Sequence, residues 1–269
     1  MPVTIAETTI EGEPQLEAFL VRPDRAVSDA PAMVLCHGFP SVQRPGIPSR
    51  SYEQFAERVA EEHGWAVLAV SLRGCGQSAG QFSMVGWLED VERSVQRLRE
   101  EGSRRIWLVG STTGGSLAIM AASRDPQIFG VAAMAPRADF DDWATDPRRF
   151  LEHCRNVGVV DLDDYPASLN QWAKELRQHR AIDAVHQLGS RPLLILHGMN
   201  DRQVPFDDAR QLAEQHPSPE LRLVSGADHR IRHDPRAVAV LMGWLEPVSY
   251  THLRAHETSL HLVCRLLLE

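Results

Sequence analysis

Short apolar segments alternate with amphipathic segments along most of the chain. The apolar segments end in Gly, Pro or polar turns, which is typical of strands buried on both faces of a sheet. Such strands are predicted at residues 32–36, 65–70, 106–109, 130–136 and 192–198, with a further strand at 221–224. Helices are predicted between them, at residues 51–62, 85–101, 117–122, 207–215 and 235–245.

The N-terminal end departs from this alternation. Residues 3–12 and 14–23 are predicted to form two strands of a hairpin, joined by a turn at residues 11–14. The rest of the pattern predicts an α/β fold with a mostly parallel sheet, helices on both faces and right-handed crossovers. In such a sheet, sites form at the carboxyl ends of the strands.

Residues 139–188 interrupt the alternation after the sixth predicted strand. They contain two acidic, turn-rich stretches and helical pieces such as residues 169–180. A long insertion is usually functional, so we expect a cap over a site. Its aromatic side chains could line a substrate pocket or form the cap's own small core; they are Phe140, Trp143, Phe150 and Trp172.

The composition narrows the classes of function. The chain of 269 residues has a net charge of -8 and no basic cluster, which argues against a nucleic-acid surface. No apolar run approaches the ~20 residues of a membrane span, and the first residues lack the layout of a signal peptide. A cytoplasmic location is therefore expected. The 4 cysteines have no CxxC spacing, so neither a zinc site nor a disulfide framework is expected.

Residues 247–269 differ in character from the rest of the chain. They resemble the peptide produced when sequencing-adapter DNA is translated at the end of an assembled read, and we expect a non-native tail. A genuine C-terminal helix is the alternative. The predicted domain is residues 1–246, with the cap at 139–188, and the histidines of the tail carry no weight as metal ligands.

The turn that follows residues 106–109 carries the clearest chemical signal. Gly110 and Gly114 frame a strand-to-helix elbow of the form Gly-x-nucleophile-x-Gly, in which the glycines let two backbones pass closely. The central residue is Thr112, where the pattern expects Ser. Ser111 does not fit the frame, because the glycines would then have to stand at positions 109 and 113.

Other predicted strand ends supply the remaining parts of an acyl-transfer site. His229 follows the last strand and is the candidate base. Asp201 is the candidate acid that orients it, with Asp139 as the rival. The N–H of Thr113, at the start of a helix, and the N–H of Phe39 are the candidate donors to an oxyanion.

Five short motifs occur in one order along the chain: His37-Gly38-Phe39, Arg73-Gly74-x-Gly76-x-Ser78, the elbow at 110–114, His197-Gly198-x-x-Asp201-x-x-Val204-Pro205, and Gly226-x-x-His229. Over roughly residues 1–246 the chain resembles the esterase and serine-aminopeptidase-like members of the α/β-hydrolase superfamily. The resemblance implies a mostly parallel sheet of about eight strands with a helical cap after the sixth. It implies a triad of Thr112, Asp201 and His229, and an oxyanion hole at Phe39 and Thr113.

Threonine is the departure from that family pattern. The nucleophile of the family sits at positive φ, where a β-branched residue is an outlier and strain costs on the order of 1–3 kcal/mol. The extra methyl also crowds the path of attack. Two hypotheses stay open: a working Thr112 nucleophile, or a weakened or silent site in a protein that binds a small ligand under its cap.

The sequence therefore predicts a hydrolase of carboxylic esters, with amides or peptides as further possible substrates. It is expected to use no metal and no cofactor. The expected partner is a small ester-like molecule, rather than nucleic acid or membrane. Phe140 and Trp143 are the candidate substrate contacts.

Overall fold

A computed structural model describes residues 1–25, 30–41 and 48–246 of the protein. The predicted non-native tail at 247–269 lies outside the described residues. The strands of the sheet are β1 Val3–Ile10, β2 Leu16–Pro23, β3 Ala32–Cys36, β4 Ala66–Val70, β5 Ile106–Ser111, β6 Ile128–Met134, β7 Leu193–Gly198 and β8 Glu220–Val224.

These strands form a single 8-stranded sheet in the order β1-β2-β4-β3-β5-β6-β7-β8. The predicted hairpin is present, since β1 pairs antiparallel with β2, and β2 pairs antiparallel with β4. From β4 to β8 every neighbouring pair is parallel. The mostly parallel sheet predicted from the apolar segments is therefore confirmed.

Helices cover both faces of this sheet. They are α1 Glu53–His63, α2 Met84–Glu100, α3 Thr113–Arg124, α4 Asp141–Thr145, α5 Pro147–Asn156, α6 Leu169–Gln178, α7 Ala181–Ala184, α8 Phe206–Glu214 and α9 at residues 235–246. No helix in the described part of the chain is both long and apolar enough to cross a membrane.

Two hydrophobic cores lie on opposite faces of the sheet, because successive side chains of a strand point to opposite sides. On β5, Leu108 belongs to the core that contains Leu88 of α2. The next residue, Val109, belongs to the core that contains Val59 of α1 and Leu241 of α9. Strands β3, β5 and β7 are buried at every residue because both faces of the sheet are covered.

The segment at 139–188 contains α4 to α7 and connects β6 to β7. Its first acidic stretch, expected to be turn-rich, forms α4, with Asp141 and Asp142 in the first turn, where the helix dipole favours negative charge. Two hydrogen bonds fasten the segment around the start of α2: Tyr165 Oη donates to the Phe82 carbonyl at 2.8 Å, and Glu175 Oε1 accepts from the Val85 N–H, in the first turn of α2, at 2.7 Å.

The elbow between β5 and α3 leaves no room for side chains at its two glycines. A Cβ on Gly110 would lie 2.1 Å from the carbonyl oxygen of Gly114. A Cβ on Gly114 would lie 2.2 Å from the Cys36 carbonyl oxygen and 2.4 Å from that of His37. Helix α3 therefore rests directly on the ends of β5 and β3.

We expect Gly114→Ala to lower the free energy of unfolding by about 1–3 kcal/mol, because the added methyl must push α3 away from backbone atoms that cannot yield. Urea unfolding followed by circular dichroism measures the change. Gly243→Ala is the matched control, since no described atom lies within 4 Å of a Cβ added there. Alanine at this helical position should be neutral or stabilising by up to about 1 kcal/mol. Equal stabilities of Gly114→Ala and wild type would contradict the close approach.

Candidate active site

Thr112 occupies a strained position at the carboxyl end of β5. Its backbone has φ 53 and ψ -120, and its N–H donates to the Met134 carbonyl at 2.7 Å. Ala135, at the end of β6, is the other non-glycine residue with positive φ in the described part of the chain. A β-branched residue at such a φ carries strain of order 1–3 kcal/mol. The elbow thus holds Thr112 at the positive φ that the family resemblance implied.

The hydroxyl of Thr112 lies against the loop that follows β3. A Cβ on Gly38 would stand 2.1 Å from Thr112 Oγ1, so a larger residue at this position would displace the hydroxyl. Phe39 is the next residue of that loop. Thr113 is the first residue of α3, so its N–H has no acceptor within the helix. Both candidate oxyanion donors are therefore near Thr112. Thr113 follows it in the sequence, and Phe39 follows Gly38, which lies against its hydroxyl.

The structure joins the candidate base to the candidate acid. His229 Nδ1 lies 2.8 Å from Asp201 Oδ2. The Asp201 side chain is 0% exposed, whereas that of His229 is 20% exposed. An ionised carboxylate only accepts hydrogen bonds, so Nδ1 carries the proton, and in the neutral ring Nε2 is the bare nitrogen. That is the tautomer a general base needs.

Asp201 receives further donors that keep it ionised. Its Oδ1 accepts from the N–H groups of Gln203 at 2.8 Å and Val204 at 2.9 Å, and His197 Nε2 lies 3.3 Å from Oδ2. Burial alone raises the pKa of Asp201. The hydrogen bonds from His197 and His229, and then from the two N–H groups, outweigh burial and hold that pKa well below its usual range.

The rival acid, Asp139, is engaged elsewhere. Its Oδ1 accepts from the Asp141 N–H at 3.0 Å, and its Oδ2 lies 3.3 Å from Arg180 Nη2. It therefore accepts from the first N–H of α4 and pairs with Arg180 of the inserted segment. Of the two carboxylates that the sequence left open, Asp201 is the one that contacts His229.

A comparison of the chain with family models now bears on this geometry. The model described as "Alpha/beta hydrolase family" matches residues 33–241. The chain belongs to this alpha/beta hydrolase family. The match spans β3 to α9 and so includes Thr112, Asp201 and His229.

Solved structures share the alpha/beta hydrolase fold at low sequence identity. Est1E from Butyrivibrio proteoclasticus, solved with ferulic acid bound, is 21% identical, with a TM-score of 0.70 over 92% of this chain and 98% of its own. Hydrolase GrgF from Penicillium sp. sh18 is 19% identical, with a TM-score of 0.70 over 94% and 99%. The Pyrococcus furiosus esterase Pf2001 is 19% identical, with a TM-score of 0.66 over 91% and 92%.

His37 organises the loop that carries the candidate oxyanion donor Phe39. Its Nδ1–H donates to the Gly38 carbonyl at 2.7 Å, and its Nε2 accepts from the Leu72 N–H at 2.9 Å. The ring is 2% exposed. Burial lowers the pKa of His37 from 6.5 to about 4, although its bond to the Gly38 carbonyl opposes that change. The neutral ring thus ties the end of β3 to the end of β4.

Aromatic rings surround Phe39 on the side of the inserted segment. Its ring centroid lies 5.1 Å from that of Trp143 and 5.7 Å from that of His153 in α5, a residue that the sequence did not single out. Trp143 in turn lies 5.0 Å from Phe140, which is 0% exposed. Phe140 is thus part of the packed interior, while Trp143 and Phe39 each keep part of their surface exposed.

The described residues contain no group of three or more His, Cys, Asp or Glu side chains placed to hold a metal ion. The residues described above offer a hydroxyl, an imidazole, a carboxylate and backbone N–H groups.

We expect wild type to lose more stability in acid than His37→Asn does. The pKa of His37 in the folded protein lies below its ordinary value, so the neutral ring stabilises the fold. This contribution to the free energy of unfolding is complete above pH 6.5 and is lost as the pH falls towards about 4. The loss should amount to about 2–3 kcal/mol, which Asn cannot show because it does not titrate. Unfolding free energies at several pH values between 7 and 4 measure it. Parallel curves for the two proteins would refute the assignment.

Proposed function

We propose that the protein hydrolyses carboxylic esters by acyl transfer through Thr112, His229 and Asp201. One observation carries the proposal: a buried carboxylate is bonded to Nδ1 of a histidine at the sheet edge where the strained elbow presents a hydroxyl. A positive φ at a non-glycine residue costs stability, so it persists only where the surrounding structure enforces it. Such residues are common at active sites. Amides and peptides are further substrates that the same chemistry allows.

The residues have separate roles in the proposed reaction. His229 Nε2 takes the proton of the Thr112 hydroxyl while Oγ1 attacks the carbonyl carbon, and Asp201 stabilises the imidazolium that forms. The N–H groups of Phe39 and Thr113 hold the oxyanion. When the intermediate collapses, the ester C–O bond breaks and His229 returns the proton to the leaving alcohol. Water then repeats the attack and releases the acid.

The inserted segment at 139–188 is proposed to act as a cap. Its bonds to Phe82 and Val85 fasten it beside the aromatic rings around Phe39. Trp143 is the proposed substrate contact, with the fully buried Phe140 supporting its ring. Est1E was solved with ferulic acid bound, so an aromatic acyl ester belongs in the substrate panel beside short aliphatic ones.

A second candidate function is the binding of a small ligand without turnover. The β-branched residue at φ 53 favours it, because the methyl of Thr112 adds strain and crowds the approach to Oγ1. Both candidates share the fold and the pair of Asp201 and His229. Substitutions at Thr112 separate them.

A series of variants at Thr112 tests the proposal with p-nitrophenyl acetate, p-nitrophenyl butyrate and methyl ferulate as substrates. We expect Thr112→Ala to lower kcat/KM by at least about 100-fold, because the nucleophile is lost. Thr112→Ser should raise kcat by about tenfold, equivalent to about 1.4 kcal/mol of relieved strain and crowding. Ser111→Ala is the control: it removes the neighbouring hydroxyl, which does not stand at the central position of the elbow, and should keep the wild-type rate.

Two outcomes would redirect the proposal. If wild type hydrolyses all three esters no faster than Thr112→Ala, while Thr112→Ser is active, the native protein is the silent ligand-binding form. If Thr112→Ser is also inactive, the site does not carry out ester hydrolysis. Retention of the wild-type rate after treatment with EDTA is the expected result for a site without metal.

A further inference from the structure

A second histidine contacts the acid of the proposed triad. His197, at the end of β7, places its Nε2 3.3 Å from Asp201 Oδ2, the same oxygen that accepts from His229 Nδ1 at 2.8 Å. The same Nε2 lies 3.1 Å from the carbonyl oxygen of Val204. The His197 side chain is 0% exposed. The proposed steps of ester hydrolysis leave this ring without a role.

The contacts of His197 fix which nitrogen carries its proton. A backbone carbonyl only accepts hydrogen bonds, so Nε2 must be the donor to Val204, and the same nitrogen lies 3.3 Å from Asp201 Oδ2. Among the described residues, Nδ1 has no hydrogen-bond partner. A proton on that buried nitrogen would be an unsatisfied donor, which is costly, so the bare Nδ1 is the form that fits.

The Asp201 carboxylate belongs to a closed ring of contacts with His197 and Val204. The N–H of Val204 donates to Asp201 Oδ1 at 2.9 Å, while the carbonyl of Val204 accepts from His197. His197 lies near the end of β7, which pairs with β6 and with the edge strand β8, whereas Asp201 stands on the loop that follows β7. The ring therefore links the loop carboxylate to the sheet through Oδ2, whereas the backbone N–H donors bind Oδ1.

We propose that His197 is a positioning residue of the site: its Nε2–H shares Asp201 Oδ2 with His229, fixing the rotation of the carboxylate and limiting the negative charge that faces His229. The expected effect of His197 on catalysis rests on the proposed function. The sharing of Asp201 Oδ2 by His197 and His229 does not depend on it. Two donors on one acceptor oxygen compete, so loss of one strengthens the other.

Two substitutions separate positioning from simple packing. His197→Phe fills a similar volume without a donor, and His197→Gln keeps an N–H near the position of Nε2. In His197→Phe we expect kcat to fall about tenfold with KM changed less than twofold, because geometry rather than ground-state binding is lost. His197→Gln should recover most of the activity.

Nuclear magnetic resonance supplies a readout that does not depend on turnover. In wild type, the imidazole nitrogens of His197 should show a protonated Nε2 and a bare Nδ1. The low-field proton resonance of His229 Nδ1–H should move downfield in His197→Phe and return towards the wild-type position in His197→Gln.

The outcomes distinguish this inference from the proposed function. If wild type lacks esterase activity, the tautomer of His197 and the low-field proton still decide the inference. If His197→Phe fails to fold, the wild-type tautomer and the low-field proton of His197→Gln decide it. A protonated Nδ1 on His197 overturns the inference, as does an unmoved His229 proton in folded His197→Phe. Equal losses of kcat in the Phe and Gln variants would reduce His197 to a packing role and also overturn it.

Discussion

The close approach of α3 to the ends of β5 and β3 is the constraint on which the site depends. At Gly110 and Gly114 an added Cβ would lie little more than 2 Å from backbone oxygens. This approach forces the chain to turn sharply between them, and the residue at the centre takes a positive φ. Thr112 thereby projects from the sheet edge with its hydroxyl against Gly38. The strain at Thr112 is a consequence of packing that the surrounding layers enforce.

A buried negative charge is the second organising feature. Asp201 has a fully buried side chain, and a carboxylate in that environment is tolerated only when its oxygens are satisfied. Two backbone N–H groups and two histidines supply the donors. The donors come from β7, from the loop that carries Asp201 and from the loop after β8. Their contacts with the Asp201 carboxylate therefore hold these three parts of the chain together. The acid that orients His229 is thus also a structural centre of its edge of the sheet.

Much of the fold could be predicted because its central strands are apolar on both faces. The segment at 32–36 coincides with β3, and residues 192–198 differ from β7 by one position. The helix α4 was missed because Asp141 and Asp142 resemble turn residues in sequence, although they are favourable in a first helical turn. Helix α5 lies between the two acidic stretches, where helical pieces were predicted, and it begins with Pro147 after a cap at Asp146.

The pairing of Asp201 with His229 was predictable from the sequence, but the contacts that surround this pair were not. Asp139 and Asp201 both follow strands, and the choice between them depends on Arg180, which lies 41 positions beyond Asp139 and binds it. The contact of His197 with Asp201 left no sequence signal beyond a spacing of four residues, because a histidine at the end of a buried strand is commonly a core residue. Such contacts arise from the three-dimensional arrangement of loops, which local patterns do not encode.

The central claim is that Thr112 is a nucleophile activated by His229, and covalent capture tests it most directly. Wild-type protein is treated with an activated fluorophosphonate, its intact mass is measured, and the modified peptide is sequenced by mass spectrometry. The account predicts one added phosphonyl group, on Thr112, and its absence in His229→Ala. An unmodified wild-type protein, or a label on any residue other than Thr112, would contradict the account.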